Sequence, residues 1–225
     1  MPNALLEAET TEVAPANILE TPAESAADAH RGDAFYNHFY RTGGWKYSAW
    51  REYWWHRKNL VRRFHLRRRM TLLEVACGNG FHTNLLAGMG FDCVGVDRSS
   101  AGIEWAQKHY PRRRFIQADI MDDLPVAPGS IDVVLARGCS HYHYDLRSEK
   151  ARSTTRHLIR YLKPGGVFAM IIVSDLSGRR RPGEVWQNTL ADYEAHFASF
   201  DRRWSVDWVK GVVICGLWNT PRAGN

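Results

Sequence analysis

A carboxylate inside an otherwise apolar run needs a reason. In Leu72-Leu73-Glu74-Val75-Ala76-Cys77-Gly78-Asn79-Gly80, Glu74 stands in what reads as a buried strand, where a lone carboxylate is costly unless something pairs with it. The run ends in Gly78 and Gly80, which let a backbone come close to a bulky ligand at the carboxyl end of a strand. A dinucleotide fingerprint, G-x-G-x-x-G, would place its third glycine at position 83, where Thr83 stands, so the nicotinamide reading is weakened. A P-loop fits worse, because no G-K-[ST] follows. Two further carboxylates close apolar runs, Asp97 in VGVDRS and Asp119 in FIQADI. Each could accept hydrogen bonds from ligand hydroxyls or amines, or could cap the helix that follows.

A fourth segment, Arg137-Gly138-Cys139-Ser140-His141-Tyr142-His143-Tyr144, follows another strand-like run. If it is extended, His141 and His143 point the same way, and either neutral imidazole could take a proton from a hydroxyl or ammonium acceptor. Tyr142 between them is a candidate substrate contact. A His-x-His pair also suggests metal, but no carboxylate or third histidine lies at ligand spacing from it, and no metal is expected.

These residues need a scaffold that brings strand ends together. Short apolar runs over 71–77, 91–97, 113–119, 131–137 and 167–173 alternate with helical patterns over 81–90, 100–110 and 148–162. Such alternation implies an α/β fold with a mostly parallel, doubly wound sheet whose carboxyl edge faces a ligand crevice. Stretches 202–211 and 212–219, divided by one glycine, are expected to add an antiparallel C-terminal hairpin and complete seven strands.

On these residues the chain resembles the class I S-adenosylmethionine-dependent methyltransferases, from about Thr71 to Asn219. E-V-A-C-G-N-G resembles the family's first motif, with Ala76 in place of its first glycine; Ala76 is expected at negative φ, leaving cofactor binding intact. The resemblance implies a seven-stranded Rossmann-like sheet and S-adenosyl-L-methionine as cofactor. Its binding set is Glu74, Ala76, Cys77, Gly78, Gly80, Asp97, Arg98, Asp119, Ile120 and Arg137. Within that set Asp97 would accept the ribose hydroxyls, Asp119 the adenine amino group with Ile120 against the ring, and Glu74 would lie near the methionine amino group. Leu162-Lys163-Pro164-Gly165-Gly166 resembles the family's lead into the fifth strand. The D/N-P-P-Y/F signature of its DNA and amino-group methylases is missing, which disfavours that chemistry.

Ahead of this core the composition changes twice. Residues 1–29 carry six acids and no Lys or Arg, and 1–30 are expected to be a disordered tail. Residues 31–70 carry 11 basic residues against two acidic ones, and 11 aromatics fall between Phe35 and Phe64. Trp50, Tyr53, Trp54, Leu60, Val61 and Phe64 recur at helical spacing, so a helical cap over 31–70 is expected to pack through them. Trp45, Lys46, Tyr47, Trp50 and Arg51 would line a lid over the acceptor pocket, leaving 71–225 as the cofactor-binding domain. The net charge is +6; the resemblance together with this basic cap implies a small-molecule acceptor, anionic or sugar-like, with RNA, or a partner-subunit role without catalysis, as alternatives. Arg67–Arg69 and Arg112–Arg114 precede strands and should emerge at the sheet's amino edge, whereas Arg179–Arg181 follow one. Four scattered cysteines without C-x-x-C spacing, no bilayer-length apolar run and no signal-peptide pattern lead us to expect a cytoplasmic protein; the resemblance implies an enzyme that methylates an oxygen or nitrogen.

Overall fold

The computed structural model describes residues 32–179, 186–207 and 212–218. The acidic tail over 1–30, Arg180, Arg181 and the glycine expected to divide the last two strands lie outside these. Eight helical segments and seven strands follow one another among the described residues. Helices α1 (Asp33–Arg41) and α2 (Ala49–His56) come first, and α2 runs on through a π-helical turn, Arg57–Arg62. The strands are β1 (Thr71–Val75), β2 (Asp92–Asp97), β3 (Arg114–Gln117), β4 (Ile131–Arg137), β5 (Leu162–Val173), β6 (Asp201–Asp207) and β7 (Val212–Trp218). Between them lie α3 (Phe81–Gly88), α4 (Ser100–His109), a 3-10 turn at Ser140–Tyr142, α5 (Glu149–Ile159) and α6 (Leu190–His196).

The strands form one sheet in the order β3-β2-β1-β4-β5-β7-β6. β1 to β5 are mutually parallel, while β7 runs antiparallel to β5 and to β6. The expected sheet and its antiparallel C-terminal hairpin are therefore present. Glu74 lies between Gly95 and Leu135 in the two neighbouring strands, which places it at the middle of the sheet. Gly165, at φ 76°, marks the expected turn near the start of β5, where the β4 to β5 register also shifts.

Alternation along the strands explains the two-sided core. Leu73, Val75 and Val134 face one apolar cluster with Phe168 and Met170, whereas Leu72, Val133 and Leu135 face another with Ala169 and Ile171. Each such Leu, Val or Phe contributes about 1.5–3 kcal/mol by leaving water. The helices are set by short polar caps: the Ser99 hydroxyl accepts from the Gly102 N–H to start α4, and Thr189 and Asp192 form a reciprocal capping box on α6.

The cap departs from its expected packing. Trp50 and Trp54 are 73% and 51% exposed, and the inward stripe is Glu52, His56, Leu60 and Phe64, four residues apart. The π-helical turn changes the angular step part-way along, so a stripe extrapolated from Trp50 and Trp54 no longer meets Leu60 and Phe64. Leu60, Phe64 and Leu66 join the second core cluster. The Phe64 ring packs against Gly216 of β7, where any Cβ would sit 2.1 Å from it. No helix among the described residues is long and apolar enough to cross a membrane.

Candidate functional site

The carboxyl ends of β1, β2 and β4 meet beneath α1 and α2. Leaving β1, the chain turns through Ala76, Gly78 and Gly80 at φ 57°, 56° and 73°. Ala76 thus occupies the left-handed region, contrary to the expectation of negative φ. The turn requires that conformation of whichever residue stands there, and an alanine bears it at a cost of roughly 1–2 kcal/mol. The glycines are required for space as well. A Cβ on Gly78 would lie 2.2 Å from the Tyr40 hydroxyl oxygen, and one on Gly80 would lie 2.4 Å from the Phe115 ring. Cys77 is buried, with its N–H donated to the Val96 carbonyl and its thiol pushed well up by burial.

Asp97 closes β2 almost fully buried. Its two carboxylate oxygens accept the Gly78 N–H and the Ser99 N–H, both at 2.8 Å. Burial pushes its carboxyl up, and these two donors oppose the shift. The carboxylate therefore spans from the glycine turn to the start of α4, keeping acceptor capacity on both oxygens. Tyr40 from α1 covers the same turn, its hydroxyl raised well above the ordinary range by burial and by the charge of Asp97. Asn37, one turn earlier, accepts from the Ser99 hydroxyl at 2.8 Å and from the Ala101 N–H at 3.1 Å, tying α1 to α4.

Glu74 finds the partner that its position demanded. The Thr83 hydroxyl donates to it at 2.5 Å, and burial nevertheless raises its carboxyl to about 7. Arg98 pairs with Asp33 of α1 at 2.5 Å and lies 3.9 Å from Asp119. Asp119 is part-exposed and accepts the Met121 N–H at 2.9 Å in a local turn; no helix starts there, so the alternative role as a helix cap is corrected. Ile120 lies buried in the first core cluster.

Arg137, at the end of β4, is the junction between sheet and cap. Its guanidinium stands 3.3 Å from the Glu52 carboxylate, donates to the Tyr47 hydroxyl at 3.4 Å and lies over the Tyr47 ring at 5.1 Å. Tyr47 also packs edge-on against His82, and burial raises its phenol although Arg137 opposes the shift. Of the expected lid residues, Tyr47 alone has contacts of this kind at the junction. Trp45 is part-exposed against Phe39, and Trp50, Lys46 and Arg51 face solvent.

The histidine segment is not extended. Ser140–Tyr142 is a 3-10 turn, so His141 and His143 do not alternate on one side as a strand would place them. His141 is buried, with Nδ1 3.3 Å from the Thr154 hydroxyl, and His143 is half-buried. Tyr142 is a core residue, its hydroxyl 2.9 Å from that of Thr155, and the expected substrate contact there is corrected. Large aromatic bulk next to α5 won over the polar hydroxyl, which Thr155 satisfies internally.

Tyr40, Asn37, Glu52, His56, His82 and Thr83 join the site without having been singled out in the sequence. Only the spacing of Glu52 and His56, one helical turn apart, and the position of Thr83 in the glycine run carried a signal.

Comparison with known proteins agrees with this geometry. A family model described as a methyltransferase domain matches residues 73–170. A probable S-adenosylmethionine-dependent methyltransferase of Mycobacterium tuberculosis is 31% identical over 177 residues, covering 76% of this chain and 61% of its own. A trans-aconitate 2-methyltransferase of Acidovorax is 34% identical over 127 residues, covering 55% and 45% respectively. The chain spans about half the length of the curated relatives it matches. Among solved structures, the PH0226 protein of Pyrococcus horikoshii superposes with a TM-score of 0.61 at 19% identity, covering 76% of this chain and 90% of that one, a likeness of fold.

Proposed function

Because the chain belongs to the class I S-adenosylmethionine-dependent methyltransferases, we propose that it transfers a methyl group from S-adenosyl-L-methionine to an oxygen or nitrogen of a small-molecule acceptor. The observation that carries this reading is the buried Asp97 carboxylate braced between Gly78 and Ser99 at the glycine turn. A strand-end carboxylate held this way can accept a ribose diol without reorganising. The turn beside it leaves no room for side chains.

The sulfonium supplies an already activated methyl group, so the protein's work is alignment and exclusion of water. Asp97 would hold the ribose, and Asp119 the adenine amino group. Glu74, raised to about 7 by burial, would face the methionine amino group. The Tyr40 ring on Gly78 and the Tyr47 ring under Arg137 would close the crevice from the cap. The Nε of Arg137 is buried with no hydrogen-bond partner, which favours an anionic group at this end of the site. A carboxylic acid acceptor, the substrate class in the name of the Acidovorax relative, fits that donor. His141 is the candidate base for an acceptor that must lose a proton, and the displacement does not depend on it. RNA is disfavoured because Arg67–Arg69 and Arg112–Arg114 lead into β1 and β3 at the opposite, amino edge.

The test is incubation of the protein with methyl-labelled S-adenosylmethionine and a panel of small carboxylic acids, alcohols and amines, followed by mass spectrometry. The expected result is a labelled small-molecule product. Label passing only to RNA, or cofactor binding without any transfer, would replace this reading with one of the alternatives.

A further inference from the structure

On the cap side of the crevice, a cluster of buried polar groups that methyl transfer does not use lies where α2 meets the first turn of α3. Glu52 and His56 are one turn apart on α2, and His82 follows the glycine turn directly. Both histidines are buried, and one donor atom from each of the three side chains lies within 4.8 Å of the other two. The His82 Nε2 is 3.2 Å from the Glu52 carboxylate, and the His56 Nδ1 is 3.5 Å from the same oxygen. An ion with ligands at about 2.0–2.2 Å in a tetrahedron sets its donors roughly 3.3 Å apart, close to the separation of the His82 Nε2 from the Glu52 oxygen.

From this arrangement we propose that Glu52, His56 and His82 form a binding site for one divalent transition-metal ion of the zinc or cobalt type, joining the cap to the start of α3.

The tautomer of His56 supports it. Its Nδ1 lies 2.8 Å from the Glu52 carbonyl, a contact that requires Nδ1–H to donate. Nε2 is then a bare lone pair, fully buried and without a hydrogen-bond partner. An imidazole whose other nitrogen is tied to a backbone carbonyl is the arrangement that metal-ligating histidines adopt, because it fixes the ring and raises its basicity.

The set of two imidazoles and one carboxylate also selects among cations. It suits zinc, cobalt or nickel and is poor for magnesium or calcium, which take oxygen donors. Arg137, 3.3 Å from Glu52 Oε2, would remain an outer partner of the ligating carboxylate. The His-x-His pair considered in the sequence takes no part. The ligands come instead from two helices that only the fold brings together. The ion would therefore lock α2 against the glycine turn, whatever the acceptor of the methyl group.

The test is a titration of the full chain, stripped with a chelator, with Co2+ followed by visible absorption, and then displacement by Zn2+. One Co2+ per chain, with ligand-field bands lacking thiolate charge transfer and bleached by Zn2+, is expected, together with a rise in the thermal midpoint. His56→Gln and His82→Gln should each weaken binding by at least about 100-fold, and the closer isostere Glu52→Gln should also weaken it if a histidine variant does not fold. Wild-type protein that binds no Co2+ stoichiometrically, a thiolate band, or unchanged affinity in the folded variants would overturn the site.

Discussion

Glu74 and Glu52 are both carboxylates drawn inside the molecule, one from the central strand and one from the cap, and they are kept there by different means. Glu74 is 2% exposed, takes hydrogen bonds from Thr83 alone, the one from its hydroxyl short, and is pushed to about 7 by burial. Glu52 is flanked by Arg137, His82 and His56. In the sheet, regular pairing fixes the backbone and the carboxylate adapts by holding a proton. In the cap, polar groups supply the packing face, and the helix turns its tryptophans outward to allow it. A region positioned by β pairing tolerates an isolated polar group, whereas one positioned by side chains must assemble several.

The largest effect should come from the apolar anchor of the cap. Phe64→Ala removes a ring pressed on Gly216 in the second core cluster, and should cost about 3–5 kcal/mol in chemical denaturation. A loss under about 1 kcal/mol would mean that the cap is a loosely docked lid and not part of the core. Next comes Glu74→Gln, read as stability against pH. The folded carboxyl, at about 7, lies above its ordinary 4.5, so folding favours the protonated form. The associated stability is fully present below about 4.5 and is lost as pH rises through about 7. Relative to Glu74→Gln, the parent should lose roughly 3 kcal/mol across that window; parallel curves would remove the burial argument. Ala76→Gly should relieve a left-handed alanine at φ 57° and raise stability by about 1 kcal/mol, with unchanged cofactor affinity. Destabilisation would show that the Ala76 methyl packs usefully. Smallest is Trp50→Ala, which should shift stability by less than about 0.5 kcal/mol, against the much larger effect of Phe64 on the same cap.

The same contrast explains what the sequence revealed. Periodicity located the central strands because Leu72, Leu73 and Val75 follow rules that act within a few residues, and the glycine turn with Asp97 followed from strand ends. The junction of Arg137, Glu52, His56 and His82 was not legible, since its members are brought together by the packing of α2 on the sheet and lie up to 85 residues apart. Trp50 misled for a related reason: a single π-helical turn, invisible in a hydrophobic pattern, rotates everything after it. His141 and His143 misled because an extended backbone was assumed where the chain makes a 3-10 turn. Ala76 shows the converse, a residue whose type argued for ordinary φ in a turn that dictates otherwise.

The central claim is that the carboxylate braced on the glycine turn holds the ribose of S-adenosyl-L-methionine, and calorimetric titration of that cofactor into the wild type and into Asp97→Ala tests it most directly. The expected result is saturable binding weakened by about 2 kcal/mol in the variant, roughly 30-fold in affinity. Equal affinity for a folded Asp97→Ala protein would contradict it.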